Sequence, residues 1–326
     1  MKHTCTAILA VVAVVLTGSA AAQSWSPQRN VEIVVGSAPG GSNDKTARTV
    51  EKAIVEGKLI PTSLTVVNRP GGGSSIAFNY VSQKKGDAHT LLIGTTALLT
   101  NHAVGISPLS YMDFTPIASL FNDYVVFAVN ANSPIKTGRD LIAKLKENPQ
   151  SVSIGFATTL GSHNHIAAGL LAKSIGVNAR NLKAIAFKGS AEAITQLLGG
   201  HIDMVTTAAG NVSSHVAEGR LRVIGVSAEK RFTGALAGVP TWKEQGANLV
   251  YGGWRAIMAP KGLTPEQIAY WEGVLRKVTS TPAWKADLEK NYWSDDFVTS
   301  AQFSKDIAKD YADIKAVLVD IGLAKQ

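Results

Sequence analysis

Nine short apolar runs, spaced along the chain and separated by helix-like stretches, constrain the fold more than any other feature. They occupy residues 31–36, 64–68, 89–94, 125–130, 151–156, 182–186, 204–207, 223–228 and 256–259. Such alternation predicts α/β architecture with largely parallel sheets. Local signals agree with it. Thr264, Pro265 and Gln267 form a capping-box pattern with proline in the first helical turn, which predicts a helix from 265 onward. Phe303, Ile307, Tyr311, Ile314 and Leu318 mark one face of an amphipathic helix, expected to pack on the outside of a domain. No repeat, low-complexity tract or linker is visible. A two-domain chain without a linker must pass between its domains more than once.

The first 22 residues read as a secretory signal. Lys2 is the positive end, AILAVVAVVL (Ala7 to Leu16) the apolar core, and Ser19-Ala20-Ala21-Ala22 the cleavage site, with cleavage expected after Ala22. The core is about ten residues, against the roughly twenty that a membrane-spanning helix needs. Export to the periplasm is the expectation. The single cysteine, Cys5, lies inside this segment. The exported protein would therefore have no disulfide, no thiolate metal ligand and no cysteine nucleophile. The remaining roughly 300 residues suffice for two domains. The full chain carries a formal charge of +8, but its basic residues are scattered and not interleaved with aromatics. That argues against nucleic acid and for a mildly basic cleft receiving an acidic solute.

The sharpest local motif is VEIVVGSAPGGSNDKTAR, Val31 to Arg48: an apolar strand, a glycine-rich turn, then a helix start. Ser42, Asn43 and Asp44 can each cap that helix. Helix N-termini collect free N–H groups and a positive dipole end, and so attract anions. Gly36 and Gly41 have the spacing of a nucleotide phosphate loop, but Ser42 and Asn43 stand where its lysine and hydroxyl belong. A dinucleotide fingerprint fails too, at Ala38. A carboxylate cradle and a plain tight turn both stay open on these residues. A second glycine cluster, Asn68 to Ser75, follows the next strand and could wall the same cleft. A third loop, Ala157 to His165, offers hydroxyls, N–H groups and imidazoles. His163 and His165 invite a zinc reading, but two ligands are too few and positions two apart diverge on a helix. No G-x-S-x-G elbow exists, so serine hydrolysis finds no support. Trp254-Arg255 reads either as a packed indole beside a surface arginine or as a guanidinium fork for a carboxylate.

Taken in order, the segments APGGSND (Ala38–Asp44), VVNRPGGGS (Val66–Ser74), LLIGTT (Leu91–Thr96), FTPIASL (Phe114–Leu120), FKGSAEAITQLLGGHID (Phe187–Asp203), EGRLRVIGVSAEKR (Glu218–Arg231) and VPTWKEQG (Val239–Gly246) resemble the Bug/TctC-type periplasmic solute-binding proteins of tripartite tricarboxylate transporters. The resemblance covers almost the whole chain after the signal. It implies a two-domain Venus-flytrap fold of the type II periplasmic binding protein kind. One domain would hold 23–124 plus 229–326, the other 125–228, with a hinge at the two crossings. It implies no enzyme activity, no cofactor and no metal. The partners implied are a small carboxylate and the membrane permease subunits, with a monomer expected. The ligand-binding residues implied lie in two loops, Ser37, Pro39, Gly40, Gly41, Ser42, Asn43 and Asp44 in the first and Thr158, Gly161, Ser162, His163 and Asn164 in the second; Thr95, Lys188, Thr207 and Arg255 join them as candidates from their own segments. The chain departs from many relatives at Thr207, where they carry aspartate, and at His163 and Asn164, where they carry serine or threonine. Together with Trp254-Arg255, these departures favour a di- or tricarboxylate, aromatic acids included, over an amino acid. A sensory protein presenting the same solute to a membrane receptor would read identically. An exported hydrolase is the weaker alternative.

Overall fold

The computed structural model describes residues 25–40, 42–157 and 160–324. The signal segment, Gly41, Thr158 and Thr159 lie outside the described residues.

Among the described residues, ten strands and ten α-helices follow one another, mostly in alternation: β1 (Val31–Val35), α1 (Ser42–Glu56), β2 (Leu64–Asn68), α2 (Ser75–Ser82), β3 (Thr90–Thr95), α3 (Ala97–Ala103), β4 (Phe114–Asn130), α4 (Gly138–Glu147), β5 (Ser153–Ala157), α5 (His163–Ser174), β6 (Lys183–Phe187), α6 (Ser190–Leu198), β7 (Met204–Ala208), α7 (Ser213–Ala217), β8 (Leu221–Val226), β9 (Gly252–Pro260), α8 (Pro265–Thr279), α9 (Pro282–Asn291), β10 (Val298–Thr299) and α10 (Ser300–Asp320). Each of the nine apolar runs of the sequence lies on a strand. For the inner strands the reason is burial on both faces: every residue of β3 and β5 is buried, as expected of strands covered by helices on each side, whereas β2 and β6 at the ends of the sheet are largely half-buried or exposed. At α8, Thr264 Oγ1 accepts the Gln267 N–H and Gln267 Oε1 accepts the Thr264 N–H, the reciprocal box read from the sequence.

β4 differs from its sequence expectation. The apolar run at 125–130 is only its second half; the strand begins at Phe114 and spans 17 residues. Pro116 hid the first half, because proline removes a ladder donor. The structure absorbs it at a register shift between Pro116 and Ala118. The first half of β4 pairs antiparallel with β9, and β9 pairs with β3 of the parallel group β2-β1-β3. The second half pairs antiparallel with β7 and β8, and β7 leads into the parallel strands β5 and β6. One unbroken strand thus runs through two sheets. Beside the changeover, Ser227 accepts the Val125 N–H at Oγ (2.9 Å) and donates the same hydroxyl to the Tyr251 carbonyl (2.6 Å).

The core follows from this layout. Val50, Ile54, Phe121, Trp271 and Leu275 fill one face of the first sheet. A second apolar body is continuous from Val34 and Leu92, through Leu98, Phe303 and Ile307, to Ile154, Ile166 and Leu318. At about 1.5–3 kcal/mol per fully buried large apolar side chain, this body couples the two halves. α10 is its spine. Phe303, Ile307, Ile314 and Leu318 are buried as the sequence pattern predicts, with Tyr311 half-buried. Yet α10 does not lie on the outside of one half. Its Tyr311 hydroxyl meets His102 Nδ1 of α3 at 2.6 Å. Further along, Asp320 pairs with Lys173 of α5 at 2.7 Å, and Arg180 donates to the carbonyls of Asp320 and Val319 at its C-terminus.

Candidate functional site

The loops following β1, β2, β3 and β5 converge at the carboxyl ends of their strands, where ligands of open α/β sheets lie. Gly36 is what lets the first two meet. A Cβ there would stand 2.3 Å from Ser74 Cβ, so no other residue fits without displacing the β2–α2 loop. Asp44 then fixes the β1–α1 turn. Its carboxylate is buried and accepts the Gly40 N–H (2.8 Å), Arg48 Nε (3.0 Å) and Asn68 Nδ2 (2.8 Å). Asn68 Nδ2 also donates to the Ser37 carbonyl (3.0 Å). Burial pushes the Asp44 carboxyl upward, but these hydrogen bonds and the Arg48 charge outweigh it and hold it below the ordinary carboxylate range.

Two adjoining cavities open between these loops and the other half. The larger, about 450 Å³, has Asn43, Gly72, Gly73, Thr95, Thr96 and Asn101 on one wall and Leu160, Gly161, Ser162 and His163 on the other. The smaller, about 240 Å³, is bounded by Asp123, Val125, Ala157, Asn164, Ala208 and Asn211. Ser162, His163 and Arg255 border both.

Among the described residues lining the two cavities, Arg255 is the one cation and Asp123 the one acid. The two reach from neighbouring strands, β9 and β4, and approach to only 4.0 Å (Arg255 Nη2 to Asp123 Oδ2). Arg255 Nη1 donates to the Gly253 carbonyl at 3.0 Å, while among the described residues buried Nε has no hydrogen-bond partner and Asp123 Oδ1 has none of ordinary geometry, the Trp293 indole being the donor beside that carboxylate. Burial lowers the pKa of Arg255 against the pull of Asp123, and burial raises that of Asp123 against the pull of Arg255. A guanidinium out of water with spare donors is costly unless something accepts from them, and a planar carboxylate matches its fork.

His163 stands beside this cation. Burial, with the Arg255 charge, pulls its pKa down to about 3, the Asp123 main chain opposing. The ring is therefore neutral at pH 7. It packs on Tyr251 (centroids 4.6 Å apart), and among the described residues neither nitrogen has a hydrogen-bond partner of ordinary geometry. A neutral imidazole can give one N–H to an anion without adding charge. His165 goes elsewhere: it stacks on Phe156 at 4.7 Å and its Nδ1 accepts the Gly161 N–H at 2.9 Å. Among the described residues no group of three or more His, Cys, Asp or Glu is placed to hold a metal ion.

The residues singled out in the sequence are thus partly gathered. Asn43, Thr95, Gly161, Ser162, His163, Asn164 and Arg255 line the cavities. Ser37, Pro39 and Gly40 belong to the same turn but not to the lining, and Ser42 opens α1. Asp44 is consumed inside its loop. Thr207 is buried behind Ala208, accepting from Asn211 Nδ2 at 2.9 Å. Lys188 is exposed and borders neither cavity; its N–H goes to Glu192 at 3.0 Å. Gly41 and Thr158 fall outside the described residues. Sequence reasoning missed Asp123, Asn101 and Tyr251. Asp123 left one trace, an acid interrupting the apolar run of 114–130. The reading of Arg255 as a surface residue is excluded by its side-chain exposure of 15%.

Against known proteins, the family model described as "Tripartite tricarboxylate transporter family receptor" matches residues 46–323. A UPF0065 protein of Cupriavidus necator is 29% identical over 303 residues, covering 92% of this chain and 89% of its own length. A ligand-free TctC solute-binding protein from Polaromonas superposes with a TM-score of 0.80 at 29% identity, over 90% of this chain and 99% of that one. An R. palustris protein solved with adipate superposes with a TM-score of 0.73 at 24% identity, over 91% and 99%.

Proposed function

Because this chain belongs to the tripartite tricarboxylate transporter receptor family, whose members are periplasmic solute-binding proteins, we propose that it captures a di- or tricarboxylate, aromatic acids among the candidates. The observation that carries the reading is Arg255: a buried guanidinium with spare donors, bordering two cavities and facing a neutral His163. One carboxylate would lie across Arg255, taking the His163 ring N–H and the free amides at the start of α5. The rest of the solute would extend toward Asn43 and Thr95 in the larger cavity. Asp123, close behind Arg255, would repel a second anion there and so set the direction of the solute. The adipate carried by the R. palustris protein of similar fold agrees in chemical class.

Residues 23–124 with 229–326, and residues 125–228, would be the two domains, with β4 and the segment after β8 as the hinge. A ligand touching both walls favours the closed arrangement by its better affinity for it. The closed form would deliver the solute to the membrane permease subunits after export and removal of residues 1–22. α10, which grips both halves, would limit the swing.

The test is a thermal-shift and calorimetric screen of residues 23–326 against di- and tricarboxylates, aromatic acids and amino acids. A ligand at a hundred times its dissociation constant adds about 2.7 kcal/mol. Polycarboxylates should bind, and Arg255→Gln should weaken them by about tenfold or more. Binding of amino acids alone, or full affinity in the variant, overturns the reading.

A further inference from the structure

A third cavity, about 200 Å³, lies on the other face of the β4–β9 ladder. Residues paired across a ladder share a face. Asp123 pairs with Gly253 and Phe121 with Arg255 on the side of the site above. Asn122 pairs with Trp254 and Tyr124 with Gly252 on the opposite side, which α10 covers.

The lining is chemically unlike that of the other two cavities. Four aromatic rings, Tyr124, Tyr251, Trp254 and Phe303, surround it, and two acids, Asp306 and Asp310, project one helical turn apart from α10. No lysine, arginine or histidine is among its lining residues. Ser119 and Tyr251 line it too. They are 2% and 8% exposed, and their hydroxyl oxygens are buried with no hydrogen-bond partner among the described residues. Buried hydroxyls without partners are rare in folded proteins and mark places where something else accepts or donates.

We propose that this cavity binds a small organic ammonium ion. Aromatic faces attract an alkylated ammonium through their quadrupoles, and carboxylates at the rim neutralise it. A bare metal ion suits the site less well, because the volume is large for one and aromatic rings and valines form much of the wall. Asp306 already accepts from Gln302 Nε2 at 2.7 Å, whereas Asp310 has the Trp254 indole, itself part of the cavity wall, beside it and is taken as the counter-charge. Burial, with Asp306 and Asp313 as like-charged neighbours, raises the Asp310 carboxyl to about 6, against Lys309 and the Trp254 indole. A cation beside it would relieve that strain. Tyr251 also touches His163, so the ion would lie behind the carboxylate site, with the sheet between.

The experiment titrates the protein, with no carboxylate present, with tetramethylammonium chloride, ethylammonium chloride and potassium chloride at matched ionic strength, following melting temperature and tryptophan fluorescence near Trp254. A saturable upward shift with an ammonium salt and none with potassium supports the site. Asp310→Asn, which keeps the side-chain shape, should weaken it about tenfold or more. Tyr251→Phe, which removes only the unpartnered hydroxyl, should alter the preference between the two ammonium salts. An equal response to potassium, no saturable shift with either ammonium ion, or unchanged affinity in a folded Asp310→Asn protein overturns the proposal. Because no carboxylate is added, failure here is distinct from failure at Arg255.

Discussion

Replacing His165 by glutamine should remove a defined slice of the acid sensitivity of this fold. His165 is 4% exposed, and burial holds its pKa at about 4 instead of the ordinary 6.5. Above pH 6.5 the ring is neutral in both folded and unfolded chains, and its contribution is complete. As pH falls below 6.5, the unfolded chain takes up a proton that the folded one refuses, so stability falls until about pH 4, where both are charged. At about 1.4 kcal/mol per pKa unit, the loss across that window is about 3 kcal/mol. Glutamine has no charge to gain, and its Oε1 can still accept the Gly161 N–H that His165 Nδ1 now takes at 2.9 Å. The assay is urea unfolding of both proteins at pH 7, 6, 5 and 4. His163 and the carboxylates act in both, so the difference between the two curves isolates His165. The variant should lose about 3 kcal/mol less between pH 6.5 and 4. Parallel curves would refute the reasoning. A second consequence is local: once His165 is protonated its Nδ1 can no longer accept from Gly161, so the β5–α5 loop should loosen as the pH approaches 4.

Asp44→Ala would leave the Gly40 N–H and the Asn68 amide short of an acceptor, costing about 2 kcal/mol or more by denaturant unfolding and weakening solute binding through the loop; unchanged stability would show that the turn holds itself. Gly36→Ala should cost about 1–3 kcal/mol, since its Cβ would collide with Ser74. Adding Ser74→Gly should restore part of that, because it removes the Cβ and Oγ at 2.3 and 2.4 Å and frees a residue held at a φ of 79°, while the Cα at 2.9 Å remains. A double mutant no more stable than Gly36→Ala alone would place the strain elsewhere.

The strands were legible because parallel strands buried on both faces carry unbroken apolar runs, and β1, β3 and β5 do. The first half of β4 was not, since Pro116 breaks the local pattern and only the pairing with β9 makes a strand of it. The helix face of α10 was plain, but not its partners: an amphipathic stripe says what is buried and not against which element. At the site, the loops announced themselves by glycine and capping residues. Asp44 stood out for the same reason, although its carboxylate is used up inside the turn. Asp123 became visible only when register set it beside Arg255, because two charges on different strands share no sequence neighbourhood.

The unbroken β4 also bears on the order in which the molecule can assemble. Among the described residues its first half has ladder partners in β9 and β10, made much later in the chain, whereas the β7 and β8 partners of its second half come sooner. Long-range pairing of this kind slows folding. Until β9 arrives, β3 presents a bare edge, which invites pairing with other chains. We therefore expect the half built on β5 to β8 to gain hydrogen-exchange protection first during refolding, with β1 to β3 following β9. Early protection of β3 amides in a pulse-labelling experiment would contradict that sequence of events. The strand that joins the two halves in space would then be the one that separates them in time.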